Sequence, residues 1–291
     1  MGTSNACPVC GKPVRNARGC GCRRASFLPA GKVETPRGSA VPETRWHILA
    51  FEASLERWFR LLAFPLALLV FWALVHTGFA RMLVRTTLSM WTHEIGHAVA
   101  AWLCGRFAFP GPWFTPMAER RSWIVALIVA VLLGWTAFRL GRSRNGWILG
   151  AILLLFVQVV CTFFLSEHRV RTLIIWAGDG GSMLLGTLMM LSFYAGKHTQ
   201  LRVGWLRWGF LAIGAAALTD PLATWWQARH NSEAIPFGEY ESGVLSDPTV
   251  LVFQQGISLR GLVNSYLITA CLCFAVLLFA YVWGLRRNTE A

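Results

Sequence analysis

The run Ser89-Met90-Trp91-Thr92-His93-Glu94-Ile95-Gly96-His97-Ala98-Val99-Ala100-Ala101 places two imidazoles and a carboxylate inside an apolar segment. His93 and His97 are four residues apart, so on a helix they project from one face, one turn apart. That spacing offers two imidazole nitrogens to a single tetrahedral Zn2+. Glu94 follows the first histidine and points beside the metal rather than at it. There it can take a proton from a zinc-activated water and return it to a leaving amine. Gly96 leaves room for a substrate backbone or a neighbouring helix. HExxH patterns are short and arise by chance in soluble chains. Within an apolar span each ionisable group is costly unless it has a partner, and such groups mark functional sites.

A catalytic zinc takes three protein ligands and keeps one position open for water. The third ligand must therefore come from elsewhere. The stretch Trp176-Ala177-Gly178-Asp179-Gly180-Gly181-Ser182-Met183 supplies Asp179, the only acidic residue in its apolar span. Gly178, Gly180 and Gly181 surround it, so the helix there can open and pack closely against the histidine helix. A carboxylate in that setting needs a cation, and zinc provides one. Other groups compete. Glu167 and His168 lie in a short loop beside Arg169 and Arg171. Asp220 precedes Pro221 deep in an apolar run, where a cap or turn role and a supporting role beside the site both fit. His230, Glu233, Glu239 and Glu241 belong to a polar loop and read as solvated.

HEIGH on one apolar helix with Asp-Gly-Gly on a later one resembles the site-2 protease family of intramembrane zinc metalloproteases. The resemblance covers about residues 80–200 and implies metal ligation by His93, His97 and Asp179, with Glu94 as the catalytic base. It also implies cleavage of transmembrane segments of other proteins, often to release membrane-tethered regulators. The chain departs from the family pattern in having Gly178 before the aspartate, and Thr172-Leu173-Ile174-Ile175-Trp176 upstream where the family often has Asn and Pro. The span count below also sets the two helices antiparallel, whereas the family's usual core has them parallel. Two further readings of the same residues are a scaffold that keeps the fold without turnover and a metal-handling transporter.

A second set of ligand types lies at the N-terminus. Cys7-Pro8-Val9-Cys10-Gly11 and Cys20-Gly21-Cys22 form a CxxC and a CxC. Four thiolates would fill a structural zinc site with no open position, giving a zinc-ribbon-like unit that folds only with metal. Its expected role is to bind a regulatory protein. Cys104, Cys161, Cys271 and Cys273 fall in apolar spans and read as buried small hydrophobes.

The elements that must position these residues follow from the composition. Of the 291 residues 55% are hydrophobic, and mean hydropathy is +0.49. The apolar residues gather into runs of the length that crosses a bilayer, about 20 residues. The expected fold is therefore an all-α polytopic membrane protein of about six to seven transmembrane helices. Spans are expected near 61–80, 83–104, 122–140, 146–166, 171–195, 205–226 and 262–284. Residues 1–45 form the Cys-rich unit and linker, 46–60 an amphipathic juxtamembrane helix, and 61–291 the membrane metalloprotease domain. The Gly- and Pro-rich stretch 105–121 is expected to re-enter the membrane or to pair with an unwound substrate strand. The formal charge of +13 comes from basic residues flanking the apolar runs, which argues for cytoplasmic headgroups and against nucleic acid. Their distribution sets the N-terminus in the cytoplasm. The expected location is a cell membrane, the bacterial inner membrane, with the lipid bilayer and a transmembrane protein substrate as partners. One catalytic and one structural Zn2+ are expected.

Overall fold

The computed structural model describes residues 43–142, 147–194, 205–239 and 245–286, which are mostly helical. Contacts divide the chain into two units between Phe51 and Glu52. Cys7, Cys10, Cys20 and Cys22 lie outside the described residues, as does the structure of the expected zinc-ribbon-like unit.

Where the sequence suggested a separate amphipathic helix at 46–60 followed by a span at 61–80, a single helix α1 runs Glu43–Val75. It stops at His76-Thr77, short of the expected end of the span near residue 80. Thr77 is extended (φ −107°, ψ 130°) and starts a new helix at Gly78. The new helix is α2 (Gly78–Val84), a π turn over Arg85–Ser89, and α3 (Met90–Leu103) without interruption. Val84 and Met90 keep helical backbone on either side of the π turn. Arg81 and Arg85 remain inside this helix because they have a partner. Arg85 Nη1 lies 3.3 Å from Asp220 Oδ2, and Arg81 Nη2 donates to Thr224 at 2.9 Å.

Gly105, at φ 73°, ends α3 in the left-handed conformation that glycine adopts without strain. The stretch 105–121 then forms an antiparallel hairpin of β1 (Arg106–Ala108) and β2 (Met117–Arg121). Its base is fastened to the next layer. Arg106 and Arg121 both pair with Glu167, and Arg121 also donates to the carbonyls of Thr162 and Leu165. Helices α4 (Trp123–Arg142), α5 (Trp147–Val159), α6 (Glu167–Trp176) and α7 (Asp179–Leu191) follow. After them come α8 (Leu206–His230), the short α9 (Asp247–Thr249) running into a π turn over Val250–Gln254, and α10 (Leu259–Arg286).

Helix α7 is the hub. Along α3 the partners fall as the residue number rises: Thr92 meets Ser182, Gly96 meets Gly178 and Gly181, and His97 meets Ile174. The histidine helix and α6–α7 therefore run antiparallel, as the span count expected. Helix α8 is antiparallel to α7 on another side, through Ala217 against Ser182 and Trp225 against Asp179. Helix α10 runs with α6–α7, through Ser265 on Trp176 and Cys273 on Met183.

Two helices, Ser54–Val75 and Leu259–Arg286, are long and apolar enough to cross a membrane alone. The pair α6–α7, bent by 55° at its break, would make a third if it acts as one span. The apolar stretches Trp123–Arg139 of α4 and Ile148–Phe164 of α5 with its π turn are shorter, and α3 and α8 carry polar residues such as His93, Glu94, His97 and Asp220 within their length, which separates this finding from the larger expected number. Many large apolar side chains are exposed. On α4 alone Trp123, Ile124, Leu127, Val131 and Trp135 are exposed. Of the four described cysteines Cys104, Cys161 and Cys273 are buried as expected, whereas Cys271 is exposed, because it falls on the outward face of α10.

Candidate metal centre

The histidine helix delivers His93 and His97 as its spacing predicts. The two Nε2 atoms are 3.2 Å apart. Each ring is fixed from behind. His93 Nδ1 is 3.0 Å from Asp179 Oδ1, and His97 Nδ1 is 2.8 Å from the Ile174 carbonyl oxygen. A carbonyl only accepts, and so does an ionised carboxylate, so both rings donate from Nδ1. In the neutral rings that metal binding requires, the Nε2 lone pairs are then turned toward each other.

A third lone-pair atom joins them. Asp247 Oδ2 lies 3.0 Å from His93 Nε2 and 3.1 Å from His97 Nε2. That oxygen is buried and, among the described residues, accepts no well-formed hydrogen bond. With both rings neutral, three acceptors face one point, an arrangement that a bound cation resolves. Ligands held by one tetrahedral zinc at about 2.0–2.2 Å would be roughly 3.3–3.6 Å apart. The observed edges of 3.0, 3.1 and 3.2 Å are slightly shorter than that spacing. A donor set of two imidazoles and one carboxylate is among those that catalytic zinc sites use, and the residues present fit a zinc ion.

Asp247 was not among the residues singled out from sequence. It opens α9 behind Ser246, whose hydroxyl lies 2.8 Å from Thr249 Oγ1. Asp179, expected as the third ligand, takes a different place. It sits behind His93, with Oδ1 on Nδ1 and Oδ2 accepting from Trp225 Nε1 at 2.7 Å. Both of its oxygens are occupied there. A carboxylate on the far nitrogen of a metal-binding histidine orients the ring and raises its basicity. Trp225 is fully buried and stacks on Tyr266 with centroids 4.3 Å apart, so the carboxylate is held by a rigid aromatic pair. This arrangement needs the break between α6 and α7. Gly178 N bonds Ile175 O rather than continuing the α pattern, and α7 begins at Asp179.

The expected supporting residues divide by what they touch. A Cβ on Gly96 would strike the Ala177 carbonyl oxygen, and one on Gly181 would come 2.9 Å from Gly96 Cα. These two glycines let α3 and α7 approach backbone to backbone. A Cβ on Gly178 would lie 2.7 Å from both Asp247 Oδ2 and His93 Nε2, inside the ligand cluster itself. Gly180 faces the Trp176 ring and lies away from the cluster. Asp220 is buried and accepts from Ser89, one turn before His93, at 2.6 Å. It anchors the α2–α3 helix to α8 and does not reach the ligand cluster. Gly178→Ala is expected to lower zinc occupancy with little change in melting temperature, because it crowds ligands and not helices. Gly96→Ala is expected to cost the fold itself, at about 1–3 kcal/mol for overpacking. Zinc content and thermal unfolding of the two purified variants check this.

The cluster forms the floor of a cavity of about 1440 Å3 that Glu94 also lines. Its walls come from the hairpin, the start of α6 and the 245–255 segment. Glu94 is buried, and its Oε2 accepts from Thr115 Oγ1 at 2.6 Å. Glu167, considered as a ligand from sequence, is taken by Arg106 and Arg121, while His168 lines the cavity wall. Glu241 lies outside the described residues. Comparison with protein-family profiles, curated proteins and solved structures finds no match for this chain.

Proposed function

We propose that this chain is a membrane-embedded zinc endopeptidase, a divergent counterpart of the site-2 proteases, acting on membrane-embedded or membrane-tethered proteins. The observation that carries the reading is the convergence of His93 Nε2, His97 Nε2 and Asp247 Oδ2 on one point, beside a buried glutamate in a cavity large enough for a peptide. In this reading the apolar outer faces meet lipid. The shorter helices complete a bundle of about six to seven crossings, with the N-terminus cytoplasmic. The N-terminal cysteines hold a second, structural zinc and a regulatory partner.

The ligands would be His93, His97 and Asp247, with Asp179 fixing the His93 ring. Bound there, zinc supplies Lewis acidity at the scissile carbonyl and makes its water easy to deprotonate. Glu94, beside the ligands on the same helix, accepts that proton and hands it to the departing amine. A helical substrate must first unwind, since its carbonyls are already hydrogen-bonded. The hairpin that walls the cavity offers backbone groups to the extended strand. Trp113 and Phe114 at its tip are exposed and provide apolar contacts for side chains.

The test uses the full chain with Cys7, Cys10, Cys20 and Cys22 changed to Ser, purified in detergent, so that bound metal reports on the proposed site alone. One zinc per chain by elemental analysis, lost in His97→Ala, is the expected result. Release of fluorescence from a random-sequence quenched peptide mixture should accompany the metal. A metal-free protein at neutral pH with zinc supplied would overturn the proposal.

A further inference from the structure

The hairpin holds more than the cavity wall. Thr115 lies between β1 and β2, in a tip shaped by the Phe109 N to Pro116 O bond at 3.0 Å and the Gly111 N to Phe114 O turn at 3.1 Å. Its neighbours Trp113 and Phe114 are exposed, while Thr115 is buried. Its hydroxyl points inward to Glu94, 2.6 Å from Oε2 and 3.0 Å from the Glu94 carbonyl oxygen. One hydroxyl proton cannot serve both acceptors fully, and the shorter contact to a charged oxygen is the stronger. Among the described residues no hydrogen bond reaches the other carboxylate oxygen, Oε1.

A glutamate side chain has three rotatable torsions, and a general base works only within hydrogen-bond reach of its proton. Pinning Oε2 fixes the carboxylate plane and leaves Oε1 for the water. The residue that does the pinning belongs to the segment over which a substrate strand would lie, not to the helix that carries the base. We infer that Thr115 is a positioning residue: its hydroxyl holds Glu94 in working orientation and makes the setting of the base depend on the seating of the hairpin tip. This rests on the zinc-peptidase reading above.

Thr115→Val keeps shape and removes the donor; Thr115→Ser restores it. Three quantities are read on each full-length variant: zinc content, turnover of the quenched peptide mixture, and the affinity of acetohydroxamic acid. That probe chelates the metal and shares its acidic proton with the neighbouring base, so it reports the position of Glu94 without catalysis. Thr115→Val is expected to retain zinc and KM, to lose about 10–100-fold in kcat, and to bind acetohydroxamate several-fold more weakly. Thr115→Ser should recover both. Wild-type kcat and acetohydroxamate affinity in Thr115→Val, or equal losses in Val and Ser, would overturn the inference while leaving the peptidase reading intact. A wild type that holds zinc yet neither cleaves nor binds the probe would instead sink the peptidase reading, and the inference with it.

Discussion

Asp247→Ala should strip the site of zinc far more completely than Asp179→Asn. In the structure the two carboxylates contact opposite nitrogens of the same ring: Asp247 lies on the Nε2 side with His97, and Asp179 on the Nδ1 side with Trp225. In the proposed site, removing Asp247 takes away one of three ligands. It leaves two imidazoles 3.2 Å apart with no anionic partner, and a divalent ion then loses both a bond and its charge compensation. Replacing Asp179 by Asn keeps an acceptor oxygen for the His93 N–H, but removes the charge and sets an amide NH2 against the Trp225 Nε1–H; a change of this kind behind a ligand typically costs about 10–100-fold in metal affinity. Competition against a chelator of known affinity, on full-length protein with the four N-terminal cysteines changed to Ser, reads both constants on one scale. The opposite ranking would move Asp179 onto the metal and Asp247 off it, restoring the ligand set that the resemblance implies.

That ranking also measures how far the sequence could be read. The helical period alone put His93 and His97 on one face and Glu94 beside them, and the geometry agrees. The glycines around Asp179 foretold an opening in the helix, and the break falls at Ala177-Gly178, where α6 bends into α7. The need of a buried carboxylate for a partner drew Asp179 to His93. Sequence pattern does not reveal which of two ring nitrogens a carboxylate meets, since that depends on how deep α7 sits along α3. Asp247 was harder to find, because it follows the polar loop of His230, Glu233, Glu239 and Glu241, which read as solvated. A local signal was present: Ser246-Asp247-Pro248 is a helix start, and Val250-Leu251-Val252-Phe253 follows it. Leu251 and Pro248 are buried, so the segment packs into the protein and carries its first-turn acid into the site. Thr115 had no signal. Its partner is 21 residues away, across a glycine turn whose direction no periodicity describes. The merging of the expected 46–60 helix with the first span has a simpler cause, for no glycine, proline or cap residue stands between Trp58 and Leu62 to end α1.

Glu94→Gln is expected to abolish cleavage while the protein keeps its zinc. The amide has the volume of the carboxylate, and its oxygen still accepts from Thr115 Oγ1, so the hairpin stays seated. His93, His97 and Asp247 are untouched. What is lost is the group that takes the proton from water and returns it to the amine, worth about 10²–10⁴ in rate for a general acid–base. On the quenched peptide mixture kcat should fall by that range, with zinc content and melting temperature unchanged. The combination separates the competing readings of the same residues. A scaffold is indifferent to the substitution in every assay, and a metal transporter keeps moving its ion because both imidazoles remain. Only a hydrolase loses product and nothing else, since it alone uses a base that the metal does not require. Cleavage by Glu94→Gln at the wild-type rate would mean that the buried carboxylate has a structural task, and the cavity above it would need another purpose.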